Sequence, residues 1–226
     1  MSEAPQSETG IPTNPSLVAN SSSAFVLPDA PWRFFHASNL LTYLLAVAGI
    51  LAIRGGEHGL AWQAGAGLAI TSLLDLFDGR FARSFPRTAA QKGFGVQIDS
   101  LSDSFAFGAV PVVLAALAVP GRMPYWLMFS LLLYLLCALT RLGYYNLQVG
   151  QQSGFVGVPT TLMGLMWSLL WCFRLTAPVI AVMMVAGGLS MVAPIRIPRP
   201  TPVVFYSLVA LSVLLAGWHI SNGLFS

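Results

Sequence analysis

The sequence predicts an all-α polytopic membrane protein, and three observations support this fold class. Hydrophobic residues make up 56% of the 226 positions and charged residues only 8%, whereas soluble domains carry about 25% charged residues. Mean hydropathy is +0.73. Seven apolar stretches follow one another along the chain. The net charge of +3 reflects a deficit of acidic residues rather than a basic patch, so we expect membrane lipids and no nucleic acid among the partners.

Short polar, glycine-rich or proline-rich turns separate the apolar stretches. A helix needs about 17–25 apolar residues to cross the hydrocarbon core, and tilt or local thinning of the bilayer accommodates a slightly shorter one. We expect spans at residues 37–53, 59–77, 95–119, 125–142, 158–173, 177–192 and 203–224.

The chain divides into three parts by composition. Residues 1–30 are rich in serine, proline, alanine and asparagine, and they lack a basic segment followed by an apolar core. That composition predicts a disordered tail and not a cleavable signal peptide. Residues 31–200 form the predicted transmembrane domain that carries the function, and residues 201–226 form a C-terminal transmembrane helix.

Half of the acidic residues of the chain lie close together, beside or within apolar stretches. They are Asp75, Asp78, Asp99 and Asp103, four of only eight. An ionised carboxylate in that setting is costly unless it is paired, hydrated or bound to a cation. The first two are three residues apart and the last two are four apart, so each pair lies on one face of a helix. We therefore predict an all-oxygen site that suits Mg²⁺ or Mn²⁺.

Glycine and arginine residues complete the pattern. Gly79 and Gly95 let a ligand come close to the backbone, and Arg83 carries the planar guanidinium group that suits phosphate. In the alternative interpretation, the arginines merely neutralise the carboxylates at a membrane surface. Surface ion pairs do not require two helical carboxylate pairs and two glycines at set positions, so the pattern favours a binding site.

The pattern D-x2-D-G-x2-A-R followed by G-x3-D-x3-D resembles the signature of the CDP-alcohol phosphatidyltransferases. Its eight fixed positions are Asp75, Asp78, Gly79, Ala82, Arg83, Gly95, Asp99 and Asp103. Residues 84–94 form a longer loop between the two halves of the signature than the family usually has, and this loop contains Arg87 and Lys92.

The resemblance implies a six-transmembrane-helix catalytic core, with the last apolar stretch as one extra C-terminal helix. It also implies that the four aspartates hold two divalent ions, Mg²⁺ or Mn²⁺, and that Asp103 acts as general base. The residues implied to bind the CDP-linked lipid are Gly79, Ala82, Arg83 and Gly95. Members of the family are commonly homodimers, and the small residues at 65–67 would suit close helix packing.

Residues 94–111, FGVQIDSLSDSFAFGAVP, are similar to the phosphatidylserine synthases of this family. This similarity implies transfer of a phosphatidyl group from CDP-diacylglycerol to L-serine, with release of CMP, by direct attack of the serine hydroxyl. Arg141 is the leading candidate for binding the serine carboxylate, with Asn146 nearby. Arg87 and Lys92 compete for the same role.

Two other interpretations stay open at this stage. The nearer one is the same chemistry with another acceptor, such as glycerol phosphate, inositol phosphate or another alcohol. The more distant one is an ion transporter lined by carboxylates, which gives no role to Gly79, Arg83 and Gly95.

The distribution of basic residues predicts the orientation. If the aspartate stretch faces the cytoplasm, eight of the eleven basic residues lie on that side, leaving Arg54, Arg122 and Arg174 outside. This arrangement satisfies the positive-inside rule. We therefore expect the site on the cytoplasmic face, where a soluble substrate arrives, and the resemblance to the phosphatidylserine synthases implies a prokaryotic cytoplasmic membrane.

Overall fold

A computed structural model describes residues 30–147, 155–173, 175–198 and 200–225. Residues 1–29 of the expected tail, together with Arg174 and Arg199, lie outside the described residues. The helices are α1 (Leu40–Glu57), α2 (Ala61–Arg83), α3 (Ala89–Asp103), α4 (Val110–Leu117), α5 (Tyr125–Leu147), α6 (Thr160–Leu170), α7 (Ala177–Val192) and α8 (Pro202–Leu224). A π-helical segment, Ser104–Ala109, joins α3 to α4 without a break.

Each of the seven predicted apolar stretches contains a helix, which confirms the all-α membrane character. In the described part of the chain, four helical stretches are long and apolar enough to cross a bilayer: Ala37–Glu57, Ala89–Leu117, Tyr125–Leu147 and Pro202–Leu224. α6 and α7 are shorter, with 11 and 16 residues. α2 is not among the four, and its last turns carry the first aspartate pair. The six-helix core therefore stays a prediction.

α2 is the central helix, and small residues let its neighbours approach closely. A Cβ added at Gly67 would lie only 2.5 Å from the Cβ of Ala52 on α1. One added at Gly65 would overlap the ring of His219 on α8. Such contacts need glycine because a side chain would hold the helix backbones apart. The small residues at 65–67 thus serve packing within the chain.

Tyr134 links the second half of the bundle to the π-helical segment. It is fully buried, and its hydroxyl donates to the carbonyl of Phe107 over 2.9 Å. Its ring meets that of Trp167 edge to face, with centroids 6.1 Å apart. A π-helical turn shifts the backbone hydrogen bonds by one residue and is frequent at functional sites. Here the turn begins directly after Asp103.

Hydrogen bonds fix two connections between helices, of which the first is the loop that follows α2. α3 begins with a capping box: Gln91 N–H donates to the Thr88 hydroxyl (3.2 Å), and Thr88 N–H donates to the Gln91 side chain (2.9 Å). Elsewhere, strands β1 (Phe155–Val156) and β2 (Arg196–Ile197) pair antiparallel. This pairing ties the segment before α6 to the connector between α7 and α8.

A pair of 3-10 turns, Pro31–Phe34 and Ala37–Asn39, precedes α1, and this segment packs against α3 and the loop before it. The rings of Phe34 and Phe94 stack with centroids 4.5 Å apart. Trp32 and Phe35 are largely exposed, as expected of aromatic residues at a membrane interface. The N-terminal turns therefore lie beside the stretch that carries the candidate site.

Candidate active site

The four aspartates come together where α2 and α3 face each other. The side chains of Asp75 and Asp103 lie within hydrogen-bonding reach of each other. The same holds for Asp78 and Asp99. Asp75 and Asp103 are further from the connecting loop along their helices, so we call them the inner pair and we call Asp78 and Asp99 the outer pair. Each of these two contacts therefore joins one aspartate of α2 to one aspartate of α3.

The carboxylate pairs need a cation or a proton. Two carboxylates in contact repel each other unless positive charge lies between them. In addition, Oδ2 of Asp78 and Oδ1 of Asp103 are buried without a hydrogen-bond partner among the described residues, which is uncommon for polar atoms in proteins. The site therefore has carboxylate oxygens in excess of its donors.

This donor set fits Mg²⁺ or Mn²⁺. No three acidic, histidine or cysteine side chains form a preformed metal cage in the described ranges. Mg²⁺ does not require such a cage, because it is usually bound through one or two carboxylates and completes its shell with water and substrate phosphate. Two carboxylate pairs with unpartnered oxygens match that mode of binding.

A cleft of about 260 Å³ opens beside the outer pair. Its walls come from α1, from the ends of α2 and α3 and from the loop between them. The lining residues are Asn39, Thr42, Asp78, Gly79, Ala82, Arg83, Arg87, Lys92, Gly95, Val96 and Asp99. Three cationic side chains thus share one cleft with two carboxylates. Such a surface suits an anionic ligand whose charge is partly neutralised by a metal.

Both signature glycines lie against guanidinium groups. A Cβ added at Gly95 would lie 3.1 Å from Nη1 of Arg87 and 3.6 Å from Oδ1 of Asn39. One added at Gly79 would lie 3.5 Å from Nη1 of Arg83. Gly95 in particular leaves room for Arg87, whose Nε is buried and has no partner in the described ranges. The loop that is longer than usual therefore brings a second guanidinium into the cleft.

The four residues expected to bind the acceptor separate into two groups. Arg87 and Lys92 line the cleft together with Arg83. Arg141 and Asn146 instead lie on α5, where the Asn146 side-chain oxygen accepts from the hydroxyl of Ser100 on α3 over 2.9 Å. The sequence had placed all four in one role, because helical spacing does not show the path of a loop.

Arg141 lies beside the inner pair. Its side chain is only 7% exposed, and its Nε has no hydrogen-bond partner in the part of the chain that the structure describes. It is close enough to Asp103 and Asp75 to be attracted by both. A buried guanidinium with an unpartnered nitrogen is costly unless a ligand completes its contacts. The inner pair thus has a cation on its α5 side.

Sequence reasoning missed three residues of the site. Asn39 and Thr42 line the cleft from α1 and from the turn before it, and Asn39 is held by donating to the carbonyl of Phe34 over 3.4 Å. Thr161 on α6 donates a hydrogen bond to Oδ2 of Asp75 from 86 positions away. An asparagine before an apolar run resembles an ordinary helix start, and no local signal connects Thr161 to the aspartates.

The fold and site together define a membrane protein that presents paired carboxylates and a cationic cleft at one end of its helices. Residues 35–218 match the model of the CDP-alcohol phosphatidyltransferase family. The chain belongs to this family, whose members generally use divalent metal ions. The matched range includes all four aspartates and most of α8.

Several individual proteins are similar in sequence to this chain. The chain is 26% identical over 180 residues to a CDP-diacylglycerol–serine O-phosphatidyltransferase of Methanocaldococcus jannaschii, covering 79% of this chain and 82% of the relative. It is 30% identical over 168 residues to an archaetidylserine synthase of Methanothermobacter thermautotrophicus, covering 74% and 71%. A CDP-diacylglycerol–serine O-phosphatidyltransferase of Mycobacterium bovis is 35% identical over 107 residues. That match spans 47% of this chain and only 36% of the mycobacterial protein.

Proposed function

We propose that the protein transfers a phosphatidyl group from CDP-diacylglycerol to L-serine, giving phosphatidylserine and CMP. The observation that carries the proposal is the double aspartate pair beside a cationic cleft, with a buried arginine at the inner pair. Family membership supports the reaction type. The names of the relatives, which refer to serine or archaetidylserine, support the acceptor.

The four aspartates are the proposed ligands of two Mg²⁺ or Mn²⁺ ions. Their unpartnered oxygens and their mutual contacts support this role. When bound, the ions neutralise the charge that develops on the phosphoryl oxygens and on the departing CMP. The protein itself then has to hold the diphosphate, orient the acceptor and remove one proton.

The cleft residues hold the CDP-linked lipid in this proposal. Arg83, Arg87 and Lys92 would contact the diphosphate, and guanidinium groups suit it because they make paired hydrogen bonds to phosphate. Gly79, Gly95 and the small Ala82 would allow the nucleotide to come close to the backbone. Asn39 and Thr42 add neutral polar contacts on the α1 side, beyond the residues that the signature covers.

Asp103 is the proposed general base. The serine hydroxyl attacks the phosphorus that carries the diacylglycerol, and a new P–O bond forms as the P–O bond to CMP breaks. The hydroxyl proton passes to a carboxylate oxygen of Asp103, for which the unpartnered Oδ1 is the natural acceptor. The step is direct and needs no covalent intermediate on the enzyme.

Arg141 is the proposed ligand of the serine carboxylate. Its position beside Asp103 would place the amino acid where its hydroxyl can reach the base, since the carboxylate and the hydroxyl of serine are only a few bonds apart. Asn146, on the same helix and bonded to Ser100, is the proposed neighbour that helps to orient the acceptor. Arg87 and Lys92 are assigned to the lipid substrate because they line the other side of the site.

The proposal also includes the remaining expectations about the helical core, the oligomeric state and the orientation in the membrane. A six-helix core is completed by α8 as an additional C-terminal helix, the chain forms a homodimer, and the site faces the cytoplasm of a prokaryotic cell. Labelling of single cysteines introduced at exposed positions near Arg87 and near Arg122 would test the orientation. Mass measurement in detergent would test the dimer.

The decisive experiment measures CMP release by the purified protein. CDP-diacylglycerol is supplied with Mg²⁺ or Mn²⁺ and with L-serine, glycerol 3-phosphate or inositol phosphate. Asp103→Asn is the test variant, and Glu57→Gln, an exposed carboxylate at the end of α1, is the control. We expect metal-dependent release with serine that only Asp103→Asn loses.

The other outcomes separate the parts of the proposal. Release only with a phosphorylated polyol would keep the site and change the acceptor. No release with any acceptor, although the lipid substrate binds, would contradict the proposed activity.

A further inference from the structure

One residue of the inner pair, Asp75, has a neutral hydroxyl group as a hydrogen-bond donor. The hydroxyl of Thr161 donates a hydrogen bond to Oδ2 of Asp75. By contrast, Oδ2 of Asp78 and Oδ1 of Asp103 are buried and find no partner within the described residues. A hydroxyl that donates to a carboxylate forms a strong, charge-assisted bond. One oxygen of Asp75 therefore has a fixed direction before any ligand arrives.

The position of Thr161 is itself fixed by the contact between α6 and α2. The hydroxyl of Ser72, which is fully buried, lies 3.4 Å from the carbonyl of Thr161 and 3.0 Å from the carbonyl of Leu68 in its own helix, so its single hydrogen is shared between the two. One turn further along α6, a Cβ added at Gly164 would lie 2.5 Å from the same Ser72 hydroxyl. At the far end of the contact, the Ser168 hydroxyl donates to the carbonyl of Gly65 over 2.9 Å. These contacts hold α6 in one register against α2.

We propose that Thr161 is a positioning residue that fixes the carboxylate of Asp75 for metal binding. The proposal rests on the metal site described above, and it adds a residue of α6 to a site otherwise built from α1, α2, α3, α5 and their loops. Groups that hydrogen-bond to metal ligands orient them, and their loss typically weakens metal affinity about 10–100-fold. Thr161 thus couples the seating of α6 on α2 to the geometry of the inner pair.

The test measures Mn²⁺ binding to the full chain in detergent, with free Mn²⁺ followed by electron paramagnetic resonance and no lipid substrate present. Thr161→Val keeps the shape of the side chain and removes the donor, whereas Thr161→Ser keeps the donor. Thr140→Val is the matched control, because the Thr140 hydroxyl is exposed and donates to the carbonyl of Leu136 in its own helix (2.7 Å). CMP release is measured on the same samples.

We expect Thr161→Val to weaken Mn²⁺ binding by about tenfold and to raise the Mn²⁺ concentration needed for half-maximal CMP release by a similar factor. Thr161→Ser should stay within about twofold of the wild type, and Thr140→Val should match it. If the valine variant does not fold, Thr161→Ala replaces it, because it removes the hydroxyl without adding volume.

Two different results would overturn the inference, and they are distinguishable. If the valine or alanine variant binds Mn²⁺ as tightly as the wild type, Thr161 does not position Asp75, while the proposed function stands. If the wild type itself binds no Mn²⁺ and releases no CMP, the metal site and the inference fall together.

Discussion

The two ends of α2 both carry polar groups inside the bundle, yet they differ in how these groups are satisfied. At the N-terminal end, the Ser168 hydroxyl donates to the carbonyl of Gly65, and Nε2 of His219 donates to the carbonyl of Ser168 over 3.0 Å. At the C-terminal end, the two aspartates of each pair contact each other, and two carboxylate oxygens have no partner among the residues that the structure describes. Buried polar groups that have hydrogen-bond partners help to specify the packing, whereas buried polar groups without such partners are candidates for binding a ligand.

The two ends of α2 also differ in how they affect the stability of the fold. Carboxylates held in contact destabilise the fold in the absence of cations, and such cost is typical of sites selected for function rather than stability. The cluster around His219 works in the opposite direction, because its hydrogen bonds join α2, α6 and α8. Substitutions among the aspartates should therefore lower activity more than stability, whereas substitutions around His219 should lower stability more than activity.

The largest effect is expected at the inner pair. Asp103→Asn should lower CMP release by about 10²–10⁴-fold, because the variant loses its general base. The same change should leave the thermal stability of the metal-free protein unchanged or higher, since it removes repulsion with Asp75. Activity and unfolding temperature, both measured with and without a chelator, check the prediction. A variant that loses stability as well as activity would contradict the difference between the two ends.

Next in size is the separation of the two substrates. Arg87→Gln should raise the KM for CDP-diacylglycerol, and Arg141→Gln should raise the KM for serine. Each change should be about ten- to a hundredfold, because a hydrogen bond to a charged group contributes about 1.5–3 kcal/mol. Steady-state kinetics with one substrate varied at a time makes the measurement.

The matched lysine variants sharpen this result, because lysine keeps the charge and loses the paired hydrogen bonds. Arg87→Lys and Arg141→Lys should each recover only part of the lost affinity. If both glutamine variants raise the same KM, the assignment of the two arginines to different substrates is wrong.

Much of this site follows from the sequence, and what does not follow is long-range. The spacing of Asp75 and Asp78 places them on one helix face, and the apolar stretches locate the helix ends to within about six residues. Helical spacing does not show which residue of α2 meets which residue of α3. Nor does it show that Thr161 reaches Asp75 across 86 positions. These facts depend on how the helices cross, which the side-chain pattern of one helix does not determine.

The loop between α2 and α3 is a second case. On the sequence alone, Arg87 and Lys92 are candidates for binding the serine carboxylate, although both side chains also suit phosphate. Their place in the cleft with Arg83 depends on the path of the loop, on the capping box at Thr88 and on the space left by Gly95. Only the capping box is a local feature of the sequence.

At the opposite end of α2, a stability effect without a specific loss of activity is expected. A Cβ at Gly65 overlaps the ring of His219, so Gly65→Ala should destabilise the protein by about 1–3 kcal/mol, the usual cost of overpacking. His219→Ala removes the obstacle together with its hydrogen bond to Ser168. The double variant should therefore be more stable than the sum of the single effects predicts.

Thermal unfolding of the three variants measures this coupling, and CMP release per folded molecule should stay close to that of the wild type. Strictly additive effects would mean that Gly65 and His219 do not share the close contact. A selective loss of activity would mean that the N-terminal end of α2 also shapes the site.

The smallest effect is expected at Tyr134, which lies between the two regions. Its hydroxyl donates to the carbonyl of Phe107, in the π-helical segment that begins after Asp103. Tyr134→Phe keeps the buried ring and should cost about 1 kcal/mol of stability, the typical net value of one hydrogen bond. CMP release should change less than about threefold, because continuous backbone hydrogen bonds still hold the segment. A much larger loss of activity with little loss of stability would show that the π-helical turn orients Asp103, and Tyr134 would then belong to the site and not to the packing.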